Sequence, residues 1–184
     1  MKNFFKLPRN PKVDKEAWLR SCLLKNESGL IRYVKSLIYN LETSQEIVQD
    51  SFLKLWEQDY EKVVGFEAPW LFTTCRNKAY DYLKSRKNRN VHSEEILAKV
   101  VDQSLNSEEI MINQHRDIQV EEMMSSLTVE QKEILNLKFQ HGLSYKDISA
   151  VTGQSVSHVG VIIHNAVSQL KEKVQQLEKS GGRR

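Results

Sequence analysis

The sequence has few of the residues that interrupt helices or cross-link chains. Its 184 residues include seven glycines, three prolines and two cysteines. The prolines are Pro8, Pro11 and Pro69, so long stretches remain free to be helical. A hydrophobic content of 40% with 28% charged residues is typical of a folded, soluble chain rather than a disordered one. The composition therefore predicts a helical globular protein.

Long apolar runs are also missing. None approaches the roughly 18 residues that a membrane-spanning helix needs, so we predict no membrane span. The N-terminus is basic and aromatic but lacks the apolar core and cleavage site of a secretory signal, which predicts a cytoplasmic protein. Cys22 and Cys75 lie in helical apolar patterns and belong to no Cys/His cluster, which favours core thiols over a disulfide or a metal site.

Common catalytic motifs are absent from the sequence. It has no glycine-rich phosphate loop, no His-Glu-x-x-His, no serine nucleophile elbow and no paired Cys/His ligands. The five histidines are scattered along the chain. We therefore expect no enzyme activity, no catalytic residues, no metal and no cofactor.

Charge is distributed unevenly along the chain. Residues 1–90 contain 17 Lys and Arg against 11 Asp and Glu, residues 91–125 contain 2 against 8, and residues 126–184 contain 8 against 5. Two basic segments therefore flank an acidic one. Basic faces favour a polyanionic partner such as nucleic acid, although a modest positive excess is also common on solvated surfaces.

Apolar residues recur at helical spacing in four stretches of the first half. The stretches begin at Trp18, Leu30, Val48 and Trp70, and Asp14 is a candidate N-cap for the first. Four amphipathic helices in this length predict a compact four-helix bundle. We assign it to residues 13–90. The pattern weakens and acidic residues accumulate over residues 91–106, which we interpret as a linker.

A second helical series follows the linker. Thr128-x-x-Gln131 and Ser144-x-x-Asp147 are capping-box signatures, and Gly142 suits the left-handed end of the intervening helix. We predict a second helical domain over residues 107–179 and a disordered tail over residues 180–184. The predicted fold class is all-α, with two small helical domains joined by an acidic linker.

The segment Ser144–Leu170 has the pattern of a helix-turn-helix. Gly153 provides the turn, and Ile148, Val151 and Val159 are spaced to pack the two helices together. An ordinary helical hairpin is the alternative that spacing leaves open. Small or polar residues near the start of the second helix, or of its partner helix, are the candidates for DNA contact. They are Ser144, Ser155, Ser157, His158, Gly160, Val161 and His164.

A polar stripe follows the helix after Pro69. Its basic, amide and aromatic side chains suit single-stranded nucleic acid, whereas a solvated face that compensates the helix dipole is the simpler alternative. The stripe and the basic run that continues it comprise Thr73, Arg76, Asn77, Tyr80, Lys84, Arg86 and Lys87.

Two sets of motifs resemble one known family. The sequence resembles conserved region 2 of the extracytoplasmic-function (ECF) sigma factors of bacterial RNA polymerase, in the sigma-70 family, at Gln49–Trp56, Trp70-Leu71, Arg76-Asn77 and Asp81–Lys84. It is similar to region 4 at Leu127-Thr128, Gly142–Ile148, Ser155-Val156 and Val159. The two sets occur in the family's order and separation, which makes the resemblance specific.

The resemblance implies a transcription initiation factor. Such a protein binds core RNA polymerase, directs it to specific promoters and assists promoter melting. Its region 2 bundle reads the −10 element and its region 4 helix-turn-helix reads the −35 element. The implied partners are core polymerase, promoter DNA and, as a candidate, an anti-sigma factor. Core polymerase would be contacted at the clamp helices of its largest subunit and at the flap region. The acidic linker would thread the basic channels of the polymerase, with a contact-free spacer as the alternative.

The same resemblance implies roles for individual residues. The segment Asp59–Ala68 would capture a flipped base, with Phe66 stacking on it. The implied polymerase-binding residues are Glu46, Gln49, Asp50, Leu53 and Trp56. The implied −10 residues are those of the polar stripe and its basic run together with Phe66 and Trp70.

Two departures from the family pattern affect these expectations. Before Gln49 the family has an acidic run, where this chain has Thr43–Glu46 with one acid. In the second domain, His158, Gly160, Ile162 and Asn165 stand where the family often has Thr, Lys, Arg and Arg, and no Lys or Arg precedes Lys171 in that helix. We therefore expect weak independent −35 binding. A conventional helix-turn-helix repressor or activator that works without core polymerase is the alternative function.

Overall fold

The computed structural model describes residues 14–89 and 124–181. These residues form α-helices, a five-residue π-helix and the turns between them, and no β-strand. The predicted all-α fold is thus confirmed. Contacts between residues divide the chain into two compact units, with the boundary after Ala79.

Helix α1 spans Lys15–Ile38 and joins two apolar stripes that the sequence suggested as separate helices. Asp14 caps it as predicted, since its side chain accepts a hydrogen bond from the backbone N–H of Glu16 at 3.1 Å. No proline separates the stripes, and Gly29, which lies between them, costs only about 1 kcal/mol inside a helix. Burial of Leu30 and Val34 from the second stripe offsets that cost.

Three further helices complete the first bundle. Helix α2 spans Leu41–Glu57, the single-turn helix α3 spans Tyr60–Val63, and helix α4 spans Glu67–Arg89. The bundle therefore has four helices, but α3 takes the place of the helix that α1 absorbed. The segment predicted as a base-capturing loop, residues 59–68, contains α3 and the first two residues of α4.

Helix α4 begins two residues before Pro69 rather than after it. A proline is tolerated in the first turn because its missing N–H would have no partner within the helix. The backbone N–H of Trp70 donates to Phe66 O at 3.1 Å and closes that first turn. Phe66 therefore lies directly at the helix start.

The core of the first unit is aromatic and aliphatic. Leu30, Leu55 and Leu71, from three helices, are fully buried. Tyr33 packs edge-on against Phe72, with ring centroids 5.2 Å apart. Both cysteines are free and buried, as their positions in apolar stripes predicted. Desolvation raises the pKa of the Cys75 thiol to about 11, so it is protonated at neutral pH.

The second unit contains helix α5 (Val129–Leu135), a π-helix (Asn136–Gln140), helix α6 (Tyr145–Thr152) and helix α7 (Val156–Gly181). Both predicted capping boxes are present, at the starts of α5 and α6. Gly142 and Gly153 adopt positive φ values of 68° and 76°, as predicted for helix ends. The π-helix was not predicted.

Apolar residues from all these helices form the second core. Ile134 of α5, Ile148 of α6, and Val159 and Ala166 of α7 are fully buried, as is Leu137 of the π-helix. The apolar residues that the sequence assigned to the contact between α6 and α7 are therefore buried in this core. The turn between these helices is Gly153–Ser155, which matches the predicted helix-turn-helix.

Some predicted features lie outside the described residues. These are the linker over residues 91–106, the start of the second domain at residue 107 and the tail residues 182–184. Helix α7 continues through Gly181, so it includes the first two residues of the predicted tail. No helix in the described ranges is long and apolar enough to cross a membrane.

Candidate protein and nucleic-acid interfaces

Helix α2 has one buried and one exposed face. Ile47, Val48, Phe52 and Leu55 are buried in the core. The five residues predicted to bind polymerase all lie on the opposite face and are all exposed, namely Glu46, Gln49, Asp50, Leu53 and Trp56. Their spacing of three or four residues places them on a single side of the helix. We call this side the α2 outward face.

Apolar and acidic groups share the α2 outward face. Leu53 is 64% exposed and Trp56 is 41% exposed, and both are large for solvent-facing positions. Glu42 and Glu57 are also exposed on this side, and the sequence reasoning missed both. Their signal was the helical spacing, since Glu42 precedes Glu46 by four residues and Glu57 follows Leu53 by four.

Two lysines from other helices border the α2 outward face. Lys15 Nζ lies 4.9 Å from the Trp56 ring centroid and donates to Gln58 O at 3.0 Å. Lys78 Nζ of α4 lies 2.7 Å from Asp50 Oδ2. The Asp50 carboxylate is therefore already paired within the fold, although its side chain remains 60% exposed.

The predicted polar stripe lies along one side of α4. Asn77, Tyr80, Lys84 and Lys87 are exposed there, whereas Trp70, Thr73 and Arg76 are partly buried. The Thr73 hydroxyl donates to Pro69 O at 2.7 Å, so only its acceptor capacity remains. Arg86 is exposed but lies roughly opposite the stripe, given about 100° of rotation per residue.

The turn that precedes α4 is held against α1. The Trp18 indole Nε1–H donates to Glu67 Oε1 at 3.0 Å, and the Trp18 ring packs edge-on against Tyr60, with centroids 5.2 Å apart. Burial alone would raise the pKa of Glu67, but the hydrogen bonds from Trp18 and from backbone N–H groups lower it below its usual value. The exposed Phe66 therefore projects from a fixed turn, next to the left-handed Gly65 (φ 79°).

The starts of α6 and α7 differ in their chemistry. At α6, the Ser144 hydroxyl donates to Asp147 Oδ2 at 2.6 Å and accepts from Asp147 N–H at 3.1 Å. The carboxylate of Asp147 thus occupies the start of α6, although Ser144 remains solvent-exposed. At α7, Ser155 Oγ accepts from the backbone N–H of His158 at 3.2 Å, and no acid lies in the first turn. The start of α7 is therefore the better place for a phosphate.

The remaining predicted −35 residues surround the start of α7. Ser157, Val161 and His164 share one exposed side of the helix. His158 is exposed at its flank. Gly160 is partly buried, and a Cβ added there would lie 3.6 Å from Tyr145 Cε2, an ordinary contact distance.

Positive charge near the helix-turn-helix comes from outside α7. Lys138 Nζ lies 5.2 Å from the Tyr145 ring centroid and donates to Leu143 O at 3.3 Å. Lys146, in the first turn of α6, is exposed. The sequence reasoning missed both lysines because it looked for basic residues only within the recognition helix. No group of His, Cys, Asp or Glu in the described ranges is arranged to hold a metal ion.

Comparison with known families decides between the candidate functions. The family model for sigma-70 region 2 matches residues 23–89, and that for sigma-70 region 4 matches residues 117–176. Together the two matches cover more than half of the chain. The chain belongs to the sigma-70 family. This sigma factor is a transcription initiation factor that binds core RNA polymerase, directs it to promoters and assists promoter melting. A repressor that works without polymerase is not favoured.

Relatives of this sigma factor belong to the ECF group. It is 25% identical over 166 residues to the ECF RNA polymerase sigma factor SigL of Mycobacterium tuberculosis, covering 88% of this chain and 91% of that one. It is 22% identical over 152 residues to the ECF RNA polymerase sigma factor SigM of Bacillus subtilis, covering 78% and 87%.

Solved structures share the fold of this sigma factor. The sigma factor RpoE from Bartonella quintana, in complex with the anti-sigma factor NepR, matches with a TM-score of 0.58 and 20% identity, covering 87% of this chain and 98% of that one. CnrH, in complex with the cytosolic domain of CnrY, matches with a TM-score of 0.58 and 18% identity, covering 88% and 90%.

Proposed function

We propose that three surfaces divide the work of this sigma factor. The α2 outward face binds core polymerase at the clamp helices of the largest subunit. The polar stripe of α4, with Phe66 and Trp70, binds the opened −10 strand. The start of α7 contacts the −35 element. The two domains that carry these surfaces are residues 13–90 and 107–179, joined by the acidic linker.

The exposure of Leu53 beside Trp56 is the observation that carries the docking proposal. Protein interfaces are anchored by large apolar and aromatic side chains that become desolvated on binding. On the α2 outward face these anchors share one side of the helix with exposed carboxylates, which favours a partner with basic and apolar groups. Neither side chain belongs to the buried core, so core packing does not explain why these two positions carry large apolar residues.

Leu53→Asp tests the docking proposal without disturbing the core. We expect the variant to weaken binding to core polymerase at least 10-fold, since losing a buried anchor often costs 2 kcal/mol or more. Leu24→Asp is the matched control, because Leu24 is an 84% exposed leucine on α1. Equal affinities of both variants and the wild type, measured by fluorescence anisotropy with labelled protein, would contradict the proposal.

The polar stripe of α4 is suited to hold a single DNA strand. Asn77 can hydrogen-bond a base, Lys84 and Lys87 can neutralise phosphates, and the exposed Phe66 ring can stack on a flipped base. Flipping costs a few kcal/mol, which stacking worth about 1–3 kcal/mol per base helps to offset. In this proposal Arg86, on the far side of α4, contributes only long-range charge.

Permanganate footprinting of promoter complexes tests the α4 proposal. Phe66→Ala and Asn77→Ala should reduce thymine reactivity in the bubble while leaving the affinity for core polymerase unchanged. Arg86→Ala is the comparison within the same helix and should open the promoter normally. Normal footprints for all three variants would rule out this face as the strand-binding surface.

The −35 contact is proposed to be weak and to depend on polymerase. The start of α7 offers the hydroxyls of Ser155 and Ser157 and its free backbone N–H groups to a phosphate, and His158 and His164 to bases or phosphates. Ser144 is a lesser contributor because Asp147 engages its hydroxyl. Region 4 is also proposed to contact the polymerase flap, which would place α7 on the DNA.

Three further proposals follow from the family. We propose that the protein acts by binding alone, without a catalytic step, and that it works in the cytoplasm. We also propose that an anti-sigma factor restrains it, as the complex of the related RpoE with NepR suggests. Affinity purification of the tagged chain from its own host, followed by mass spectrometry, should recover polymerase subunits and such a protein.

A further inference from the structure

Tyr39 occupies a backbone conformation that favours glycine or asparagine. Its φ of 54° and ψ of 30° lie in the left-handed region, and its backbone N–H donates to Lys35 O at 2.9 Å to end α1. No other non-glycine residue in the described part of the chain has a positive φ. A side chain in this region crowds its own backbone, so a tyrosine here destabilises the fold relative to asparagine.

The Tyr39 side chain lies largely in solvent. It is 76% exposed, and among the described residues it makes no side-chain hydrogen bond and no ring contact. Two residues later Leu41, at the start of α2, is 49% exposed. A strained backbone that carries an exposed aromatic ring indicates a binding role, because strain persists where function requires it. We call these two residues the Tyr39–Leu41 corner.

The corner adjoins the α2 outward face. Asn40 alone separates Tyr39 from α2, whose first two residues are the half-exposed Leu41 and the exposed Glu42. Glu42 and Glu46 lie on the same side of α2, between the corner and Leu53. The corner and the face thus have the same character of apolar groups among carboxylates, which suits one basic and apolar partner surface.

We infer that the Tyr39–Leu41 corner extends the surface that docks on core RNA polymerase, with Tyr39 as an aromatic anchor at its edge. The inference rests on the proposed docking role of the α2 outward face. Tyrosine is among the residues most enriched at binding hot spots, since its rigid ring supplies a large contact area. The tyrosine is kept at a cost in stability because it contributes to binding.

Tyr39→Asn separates binding from stability. Asparagine accepts the left-handed conformation, so we expect the melting temperature of the free protein to rise by about 2–5 °C. The affinity for core polymerase should fall about 10-fold. Tyr39→Phe keeps the ring and should keep the affinity. Leu24→Asn removes an exposed leucine elsewhere on the same unit and should leave the affinity unchanged.

The outcomes distinguish the corner from the α2 outward face. If Tyr39→Asn keeps full affinity while Leu53→Asp loses it, the corner is not part of the docking surface and the docking face stands. If both variants keep full affinity, the docking proposal itself is wrong and the inference falls with it. A lower melting temperature for Tyr39→Asn, or an equal loss of affinity for Leu24→Asn, would also overturn the inference.

Discussion

Lys78 Nζ lies 2.7 Å from Asp50 Oδ2, so an ion pair joins α4 to α2. One end is sheltered, because the Lys78 side chain is only 22% exposed while that of Asp50 is 60% exposed. The pair connects the helix proposed to bind DNA with the helix proposed to bind polymerase. It also leaves Asp50 less able to attract a basic partner than its neighbours Glu42 and Glu46.

A double-mutant cycle should measure this pair. We expect Asp50→Asn and Lys78→Met to show a coupling energy of about 0.2–1 kcal/mol in urea denaturation at low salt, because one end is exposed to solvent. The coupling should fade in about 1 M salt. Asp59 and Lys62 are the control pair, 3.7 Å apart and exposed at both ends. An equally large coupling energy between Asp59 and Lys62 would contradict the argument that the partial burial of Lys78 strengthens its ion pair with Asp50.

The carboxyl of Glu67 should make stability depend on pH. Its pKa is lowered in the folded state, so its contribution to stability is present above the usual pKa of 4.5 and is lost as pH falls through the folded value. Glu67→Gln keeps an oxygen that can accept from Trp18 but removes the charge. The difference in unfolding free energy between wild type and variant should therefore be larger at pH 7 than at about pH 3.5. A difference that does not change with pH would show that the charge contributes nothing.

Helix caps were predictable from the sequence, whereas helix continuity was not. The capping boxes at Thr128 and Ser144 depend on residues three positions apart, so local sequence is sufficient. The unbroken α1 depends on packing against α2, which outweighs the interruption of its apolar pattern. Similarly, the π-helix ends with a hydrogen bond from His141 N–H to Asn136 O, and no pattern of side chains in the sequence predicts it.

Two glycines of the second unit should respond oppositely to alanine. Gly160 lies inside α7 with room for a Cβ, so Gly160→Ala should raise the unfolding free energy by about 0.5–1 kcal/mol. Gly142 has a φ of 68°, so Gly142→Ala should lower it by about 1–2 kcal/mol although the space around it is open. Urea denaturation of the full chain checks both values, and a shift in the same direction would contradict the backbone argument.

The candidate surfaces were predictable where their residues share one helix. Helical spacing alone placed Asn77 with Lys84 in the α4 stripe, whereas the resemblance to the ECF family implied the residues of the α2 outward face, such as Leu53 and Trp56. Each set lies along one side of a single helix. Contacts between residues that are distant in the sequence were missed, because spacing along one helix does not show which helices come together. The pairing of Asp50 with Lys78 and the position of Lys138 near Tyr145 both require the folded chain.

The exposed side of α7 should gain DNA affinity from a single basic residue. Ser157 is exposed in the first turn, and no Lys or Arg precedes Lys171 in this helix. Ser157→Arg adds one possible phosphate contact, so the slope of log K against log salt for promoter binding by holoenzyme should steepen by about 0.9. Gln169→Arg, at an exposed position further along α7, is the control for added charge without proximity. Because the native helix start neutralises few phosphates, the free protein without polymerase should bind promoter DNA weakly. An unchanged slope for Ser157→Arg, or tight sequence-specific binding by the free wild-type chain at physiological salt, would show that α7 does not meet DNA in this way.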